Sequence, residues 1–197
     1  EMPTVLVDRM MSEQFDQVGV ENTQSTQALV AHLIEHGHRR IGFIAGREGL
    51  STTDERVAGY RAALQAAGLV FDPQLLVNGG SNSAPARQAT AQLLALPVPP
   101  TAIMAGNNLM TLGAMHALRD ARIEVPGQMA LVGFDDFDWA DFFVPRLTLI
   151  AQPVKELGAR AVHMLLQRMA TPGAPTQSVR LAPSLQRRDS CGCIEVE

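Results

Sequence analysis

Short apolar runs alternate with amphipathic stretches along most of this chain. The runs are rich in Val, Ile and Leu and predict buried strands at Val5–Val7, Ile41–Ala45, Ala102–Ala105, Ala130–Phe134 and 147–150. Between them, apolar residues recur with the period of a helix, as at Leu29, Val30, Leu33 and Ile34. Parallel strands need a crossover long enough to hold a helix. The pattern therefore predicts an α/β fold, a parallel sheet with helices on both faces.

One segment departs from this alternation. After the strand at 147–150 the chain passes Gln152 and Pro153 and enters a long helix carrying Leu157, which is followed by an extended run at 178–185. A break of this kind is typical of a chain that crosses between two subdomains. A simple loop before a helix has the same sequence pattern, so both interpretations stay open.

The charge and hydrophobicity of the chain limit the kinds of partner that it is expected to bind. The formal charge is −4 and the pI is near 5.7, whereas a nucleic-acid surface needs an excess of clustered Lys and Arg. DNA is therefore not expected to bind this part of the protein directly. The first residues contain no basic run followed by an apolar core, and no apolar stretch is as long as a membrane span. We expect a cytoplasmic protein with no membrane partner.

Polar side chains follow several of the predicted strands. They are Asp8, Asn107, Asp135, Asp136 and Gln152, and Arg56 lies near the start of the helix after 41–45. Ligands of open parallel sheets bind beyond the carboxyl ends of the strands. Carboxylates, amides and a guanidinium together offer both acceptors and donors, which suits a neutral polyol. Each residue alone is equally explained as a helix cap or turn former, and Asn108 in particular looks like a cap.

Other chemistries are weakly represented. His32, His36 and His38 include a pair four residues apart, but no nearby carboxylate completes a metal site. Cys191 and Cys193 are too close for an unstrained bridge, so we expect free thiols. No glycine-rich phosphate loop and no nucleophile elbow occur. The sequence therefore predicts no metal and no cofactor.

An ordered set of segments resembles the lactose and galactose repressor family. The segments are HLIEHGHRRI at 32–41, ERVAGYRAAL at 55–64, GNNLMTLGA at 106–114, VP at 125–126, VGFDD at 132–136 and PRLT at 145–148. The likeness runs from about residue 5 to residue 188. It implies the effector-binding domain of a bacterial transcriptional repressor, with the type I periplasmic-binding-protein fold, lacking the DNA-binding head.

The resemblance also implies a division into two subdomains. Residues 21–151 and 184–197 would form the C-terminal effector subdomain. Residues 1–20 and 153–183 would be a remnant of an incomplete N-terminal effector subdomain. The effector would bind in the cleft and control DNA binding allosterically, and operator DNA would be contacted only through the absent head.

Site residues follow from the same resemblance. The cleft residues would be Asp8, Arg56, Asn107, Asp135 and Gln152, the positions that the strand ends had indicated. Family members often carry an aromatic residue after the strand that ends near residue 77, where this chain reads GGSNS. Trp139 or Phe142 would be a substitute, or else a packing or dimer contact. A homodimer contact is implied near Leu112 and Phe143.

Two other functional classes fit the sequence less well. A solute-binding protein for transport would share the fold, but it would be expected to carry an export signal. The repressor-type motifs of this chain also argue against that class. An enzyme would use Asp135 or Asp136 as a general base, yet no nucleophile, metal or cofactor is placed beside them in the sequence. We therefore expect a sugar-sensing domain that catalyses nothing.

Overall fold

The computed structural model describes residues 2–192, which contain nine strands and five α-helices besides short 3-10 turns. The strands are β1 (Val5–Val7), β2 (Asp16–Val20), β3 (Ile41–Ala45), β4 (Leu76–Asn78), β5 (Ala102–Ala105), β6 (Ala130–Phe134), β7 (Thr148–Ala151), β8 (Ser178–Leu181) and β9 (Ser184–Gln186). The helices are α1 (Asn22–Glu35), α2 (Ser51–Ala66), α3 (Ser83–Leu94), α4 (Asn108–Asp120) and α5 (Val154–Ala170).

The strands form two separate sheets. Six strands pair in the order β4-β3-β5-β6-β7-β9, and three pair in the order β1-β2-β8. All neighbours are parallel except β7 and β9. β9 arrives from the smaller sheet without a helical crossover, so it is not constrained to run parallel. The predicted α/β fold with a parallel sheet is confirmed, with one antiparallel edge.

Helices cover both faces of the six-stranded sheet. Along β3, Phe43 packs with Leu29 and Tyr60 on the side of α1 and α2, whereas Ile44 packs with Leu93 and Met110 on the side of α3 and α4. Successive side chains of a strand point to opposite faces, so both sets are buried. This double burial explains why the central strands read as continuous apolar runs.

Three elements were not predicted from the apolar pattern: β2, β4 and α3. β2 is buried along its whole length although it begins with Asp16 and Gln17. The Asp16 carboxylate pairs with Arg168 of α5 at 2.7 Å and accepts a hydrogen bond from the backbone N–H of Gln177. Burial of a polar strand is possible because its partners come from the far end of the chain.

The chain passes between the two sheets at three places. They lie at residues 20–22, between β2 and α1, at 151–154, between β7 and α5, and at 181–184, between β8 and β9. The extended run predicted at 178–185 is thus divided between two sheets. The break after Gln152 is likewise a crossing from one sheet to the helix that packs on the other, since α5 contacts β1 and β2.

Helix α5 buries only part of its surface. Leu157 and Met164 are buried, whereas Val162, Leu166 and Met169 are each more than half exposed.

No helix in the described part of the chain is long and apolar enough to cross a bilayer.

His32 and Cys191 meet in the core beside α1. His32 is 4% exposed, and its Nε2 lies 3.4 Å from the Sγ of Cys191. Cys191 is disulfide-bonded, so the expectation of a free thiol there is wrong, and Cys193 lies outside the described residues. Burial and the neighbouring His36 lower the pKa of His32 to about 4. His32 is therefore neutral at pH 7.

We expect His32 to make the fold acid-sensitive. In the unfolded chain its pKa is near 6.5, so between pH 6.5 and about 4 the unfolded state binds a proton that the folded state refuses. Stability contributed by neutral His32 is complete above pH 6.5 and falls as the pH drops towards 4, by roughly 3 kcal/mol. Urea unfolding of wild type and His32→Gln at each pH measures this, and a difference between the two that does not change with pH contradicts it.

Candidate functional site

Side chains at the carboxyl ends of strands from both sheets line one cavity of about 440 Å³. Asp8 follows β1, Asn107 follows β5, Asp135 follows β6 and Gln152 follows β7, while Arg56 reaches the cavity from the second turn of α2. The structure thus brings together all five positions that the sequence had singled out as ligand-binding residues. The volume is that of a small-ligand pocket.

Asp8 and Asp135 share an uncommon backbone conformation. Their φ angles are +70° and +72°, in the left-handed region that L side chains rarely adopt. Asp and Asn are the side chains that tolerate this region best, and residues held there cluster at ligand sites. At each position the turn that ends the strand directs the chain along the edge of the cavity. The two carboxylates are therefore placed by backbone geometry.

Arg56 is the most deeply buried charge of the cavity. Its side chain is 8% exposed, and its guanidinium carbon lies 3.7 Å from the ring centre of Phe134. Nε donates to the Oδ1 of Asn22 at 2.9 Å and Nη1 donates to the carbonyl of Gly106 at 2.5 Å. These bonds use two of the five guanidinium donors, so donors remain for a ligand oxygen.

The charges of the site influence one another. Burial raises the pKa of Asp8 above its ordinary value, Arg56 opposes that rise, and Asp135 adds to it. Burial lowers the pKa of Arg56, and the carboxylates of Asp135 and Asp8 oppose this change. The nearest oxygen of Asp135 is 3.9 Å from the Nη1 of Arg56. One guanidinium between two carboxylates gives a site rich in both donors and acceptors.

Gln152 and Asp135 are bonded to each other. The Nε2 of Gln152 donates to the Oδ1 of Asp135 at 2.5 Å, which leaves Oδ2 towards Arg56. The amide orients the carboxylate and occupies one of its oxygens. A ligand hydroxyl would therefore meet an acceptor that is already held in place.

Asn107 has a structural role in addition to its place in the cavity. It is the N-cap of α4, where its Oδ1 accepts from the backbone N–H of Met110 at 2.8 Å. Asn108, which the sequence indicated as the cap, is instead the first helical residue. The backbone of Asn107 is extended, as an N-cap requires, and for this reason Asn107 and not Asn108 caps the helix.

Sequence reasoning missed the hydroxyl groups of the cavity. Thr53, from the first turn of α2, and Ser81, which follows β4, both line it. Gly46 lies between them, and a Cβ there would be 2.6 Å from the Oγ1 of Thr53 and 2.8 Å from the Oγ of Ser81. Ser81 follows β4 and would have been found by the rule that identified Asp8, but the apolar pattern did not predict β4, and the strand ending near residue 77 was known only through the family resemblance.

Trp139 is not among the residues that line the cavity. It is half exposed, and its ring lies 4.6 Å from that of Phe137 and 5.8 Å from that of Phe143, measured between ring centres. Phe142 is 84% exposed. Among the residues lining the cavity, Phe43 is the aromatic side chain, and it belongs to the floor formed by β3.

A second, largely apolar cavity of about 660 Å³ is lined by the C-terminal part of α4 and by the segment before β7. Leu112 and Phe143, the predicted dimer contacts, both line it, together with Met115 and Val144. Val144 is 98% exposed.

Comparison with known proteins assigns the family. Residues 30–191 match the model of the periplasmic binding protein-like domain. A crystal structure of a sugar-binding transcriptional regulator of the LacI family from Escherichia coli, complexed with phosphate, superposes with a TM-score of 0.83 at 31% identity. The match covers 95% of this chain and 68% of that one. This chain belongs to the LacI family. The predicted resemblance and the periplasmic-binding-protein-like fold are thereby confirmed.

Two curated LacI-family relatives show what part of such a protein the chain represents. The transcriptional repressor CytR of Escherichia coli is 36% identical over 168 residues, which are 85% of this chain and 49% of CytR. The ribose operon repressor of Escherichia coli is 38% identical over 159 residues, 81% of this chain and 48% of that repressor. The chain thus spans about half the length of these relatives.

Proposed function

We propose that this chain is the effector-binding part of a bacterial transcriptional repressor, and that its effector is a neutral sugar or polyol. The observation that carries the proposal is the cavity in which Arg56 lies between Asp8 and Asp135. Carboxylates accept hydrogen bonds from ligand hydroxyls and the guanidinium donates to ligand oxygens. Asn107 and Gln152 complete the orientation. The chain itself would catalyse nothing and need no cofactor.

The two sheets would be the two subdomains of the effector domain. Residues 21–151 and 184–197 would form the C-terminal subdomain, and residues 1–20 and 153–183 would belong to the N-terminal one. The division is supported by the three crossings between the sheets and by the cavity, which takes Asp8 from one sheet and Asp135 from the other. A ligand bound between them would favour the closed arrangement by its differential affinity for it.

The regulatory role rests on the relatives. CytR and the ribose operon repressor are transcriptional repressors by name. By analogy, a DNA-binding head elsewhere in the full protein would contact the operator, in the cytoplasm, and the effector would control that contact. A solute-binding protein for transport would use the same cavity, but the similarity to repressors favours regulation.

An enzymatic role is disfavoured by the partners of the candidate base. Asp136 accepts hydrogen bonds from Arg188 at 3.1 and 2.9 Å, so both of its oxygens are already engaged. Asp135 is held by Gln152 and faces Arg56. Neither carboxylate adjoins a Ser or Cys nucleophile in the contacts of the described residues, as a hydrolase of the common types requires.

A homodimer would bury the apolar cavity around Leu112 and Phe143, because a two-fold contact lets one apolar patch meet itself. We expect Leu112→Asp to halve the mass measured by light scattering, since an unpaired charge in such a contact is costly. Leu109→Asp is the matched control, because Leu109 lies on the same helix, is 45% exposed and does not line this cavity. A dimer that survives Leu112→Asp, or that both variants disrupt equally, counts against this placement.

A thermal-shift screen tests the sensing function. The panel contains D-ribose, D-galactose, cellobiose, ribitol, D-gluconate, adenosine and inorganic phosphate. A ligand that binds only the folded state raises the melting temperature, and at 100 times its Kd it contributes about 2.7 kcal/mol. We expect a neutral sugar or polyol to raise the Tm. A shift with phosphate or gluconate alone, or with none of the panel, would overturn the neutral-sugar proposal.

A further inference from the structure

Arg56 is held in the cavity by a chain of side chains that begins in the other sheet. Its Nε donates to the Oδ1 of Asn22 at 2.9 Å, and Asn22 is 2% exposed. The Nδ2 of the same asparagine donates to the Oε2 of Glu55 at 2.8 Å and to the carbonyl of Val20 at 3.2 Å. Asn22 is not among the residues that line the cavity, so it holds the guanidinium from outside the cavity.

Glu55 in turn is held from the three-stranded sheet. The guanidinium of Arg180, on β8, donates to both of its carboxylate oxygens, at 2.6 and 3.0 Å. Burial raises the pKa of Glu55, but the hydrogen bonds from Arg180 and Asn22 outweigh it and the pKa lies below its ordinary value. Glu55 is thus a carboxylate at neutral pH. A bidentate pair of this kind fixes geometry as well as charge.

Arg180 also contacts the crossing between the sheets. Its Nη1 lies 3.3 Å from the carbonyl of Val20, the last residue of β2, directly before the chain enters α1. The pair with Glu55 therefore joins a strand of one sheet to a helix packed on the other, at a point where the backbone passes between them. A displacement of β8 relative to α2 would stretch or release this pair.

The exposure of the network decides what each link does. The side chains of Arg180 and Glu55 are 38% and 23% exposed, and an ion pair with this access to water adds little to stability. Asn22 and Arg56 are buried, and a buried polar group that loses its partner is costly. The exposed pair can therefore be removed at little cost to stability, whereas Asn22 and Arg56 must keep their hydrogen bonds.

We propose that Arg180 is a positioning residue for Arg56, acting through Glu55 and Asn22, so that ligand contact with Arg56 is coupled to the seating of the three-stranded sheet. The ligand-binding half of this statement rests on the proposed function, whereas the positioning half does not. By linkage, a ligand that favours one setting of Arg56 favours the matching position of β8 to the same degree.

The test uses Arg180→Gln in the full chain. Arg87→Gln is the matched control, because Arg87 pairs with Asp120 at 2.6 Å on the surface of α3 and α4, away from the network. Arg180→Lys keeps the positive charge and is expected to preserve most of the positioning of Arg56. All three variants should keep the wild-type free energy of unfolding, measured in urea, to within about 1 kcal/mol, which excludes a general loss of fold.

The first readout needs no ligand. In NMR spectra the Nε–H of Arg56 should be a protected signal in wild type, assigned by its absence in Arg56→Lys. Arg180→Gln should shift that signal and speed its exchange with water about tenfold, whereas Arg87→Gln should leave it unchanged. An identical Arg56 signal in Arg180→Gln overturns the positioning role, whatever the protein binds.

The second readout is titration with D-ribose by calorimetry. Arg180→Gln should weaken binding about three- to tenfold with no contact to the ligand, and Arg180→Lys should recover most of it. Unchanged affinity in Arg180→Gln overturns the coupling. If wild type does not bind D-ribose, the choice of sugar under the proposed function fails, and the Arg56 signal alone decides whether Arg180 positions that residue.

Discussion

Replacing Asp135 by glycine should weaken sugar binding about 10- to 100-fold while leaving the protein folded. The carboxylate is a charged acceptor inside the cavity, and a hydrogen bond to a charged group contributes about 1.5–3 kcal/mol. Glycine is the better replacement than alanine, because residue 135 has a φ of +72°, which glycine adopts without strain. The unfolding free energy should change by no more than about 1 kcal/mol.

The measurement is calorimetric titration with the sugar that raises the Tm most, together with urea unfolding. Asp138→Ala is the matched control, because Asp138 lies three residues further along the same loop and is exposed. It should bind like wild type. Wild-type affinity in Asp135→Gly, or an equal loss in Asp138→Ala, would show that the strand-end carboxylate does not contact the ligand.

Replacing Gly59 by alanine should destabilise the fold by roughly 3 kcal/mol. Helix propensity alone predicts the opposite sign, since alanine is favoured over glycine inside a helix by up to about 1 kcal/mol. In the structure, α2 packs so closely on α1 that a Cβ at residue 59 would lie only 2.3 Å from the carbonyl oxygen of Thr23. That oxygen is backbone and cannot rotate away, so the helices must separate.

Gly158→Ala is the internal comparison for this effect. Gly158 also lies inside a helix, α5, but a Cβ there would meet nothing within 4 Å. Here propensity should prevail, with a gain of about 0.5–1 kcal/mol. Urea midpoints of the two variants should therefore move in opposite directions. Two shifts of the same sign would mean that the close packing of α1 and α2 is not what requires glycine at position 59.

Much of the fold was predictable because the central strands are buried on both faces. A strand that is buried on both faces contains few polar residues. The runs at 41–45, 102–105 and 130–134 can therefore be recognised as strands without knowing which elements pack on them. The prediction fails for Asp16–Val20, a strand of equal burial that begins with a carboxylate and an amide. Its charge is balanced by Arg168, 152 residues away. The sequence around Asp16 does not indicate that Arg168 is its partner.

The candidate site was also only partly predictable from the sequence. Asp135 and Gln152 could be named because parallel strands of one sheet end at a common edge, so the residues after them are placed near each other by topology alone. Asp8 was named by the same rule, but its strand belongs to the other sheet, so only the packing of the two sheets brings it to this cavity. The sequence indicated Asn108 as the cap of α4, and the structure gives this role to Asn107, because the cap is the residue with the extended backbone. Trp139 was a candidate as a substitute for the aromatic residue that family members often carry after the strand ending near residue 77, and only tertiary packing placed it against Phe137 instead of the cavity.

By itself, the sequence determined the α/β alternation, the polar strand ends and the family resemblance, since each depends on neighbours in the chain or on a common topology. Only the tertiary structure decided how the strands divide between two sheets and which residues hold Arg56. The network of Asn22, Glu55 and Arg180 joins positions up to 160 residues apart. Contacts at such separations follow from how the sheets pack, and no local preference of the backbone encodes them.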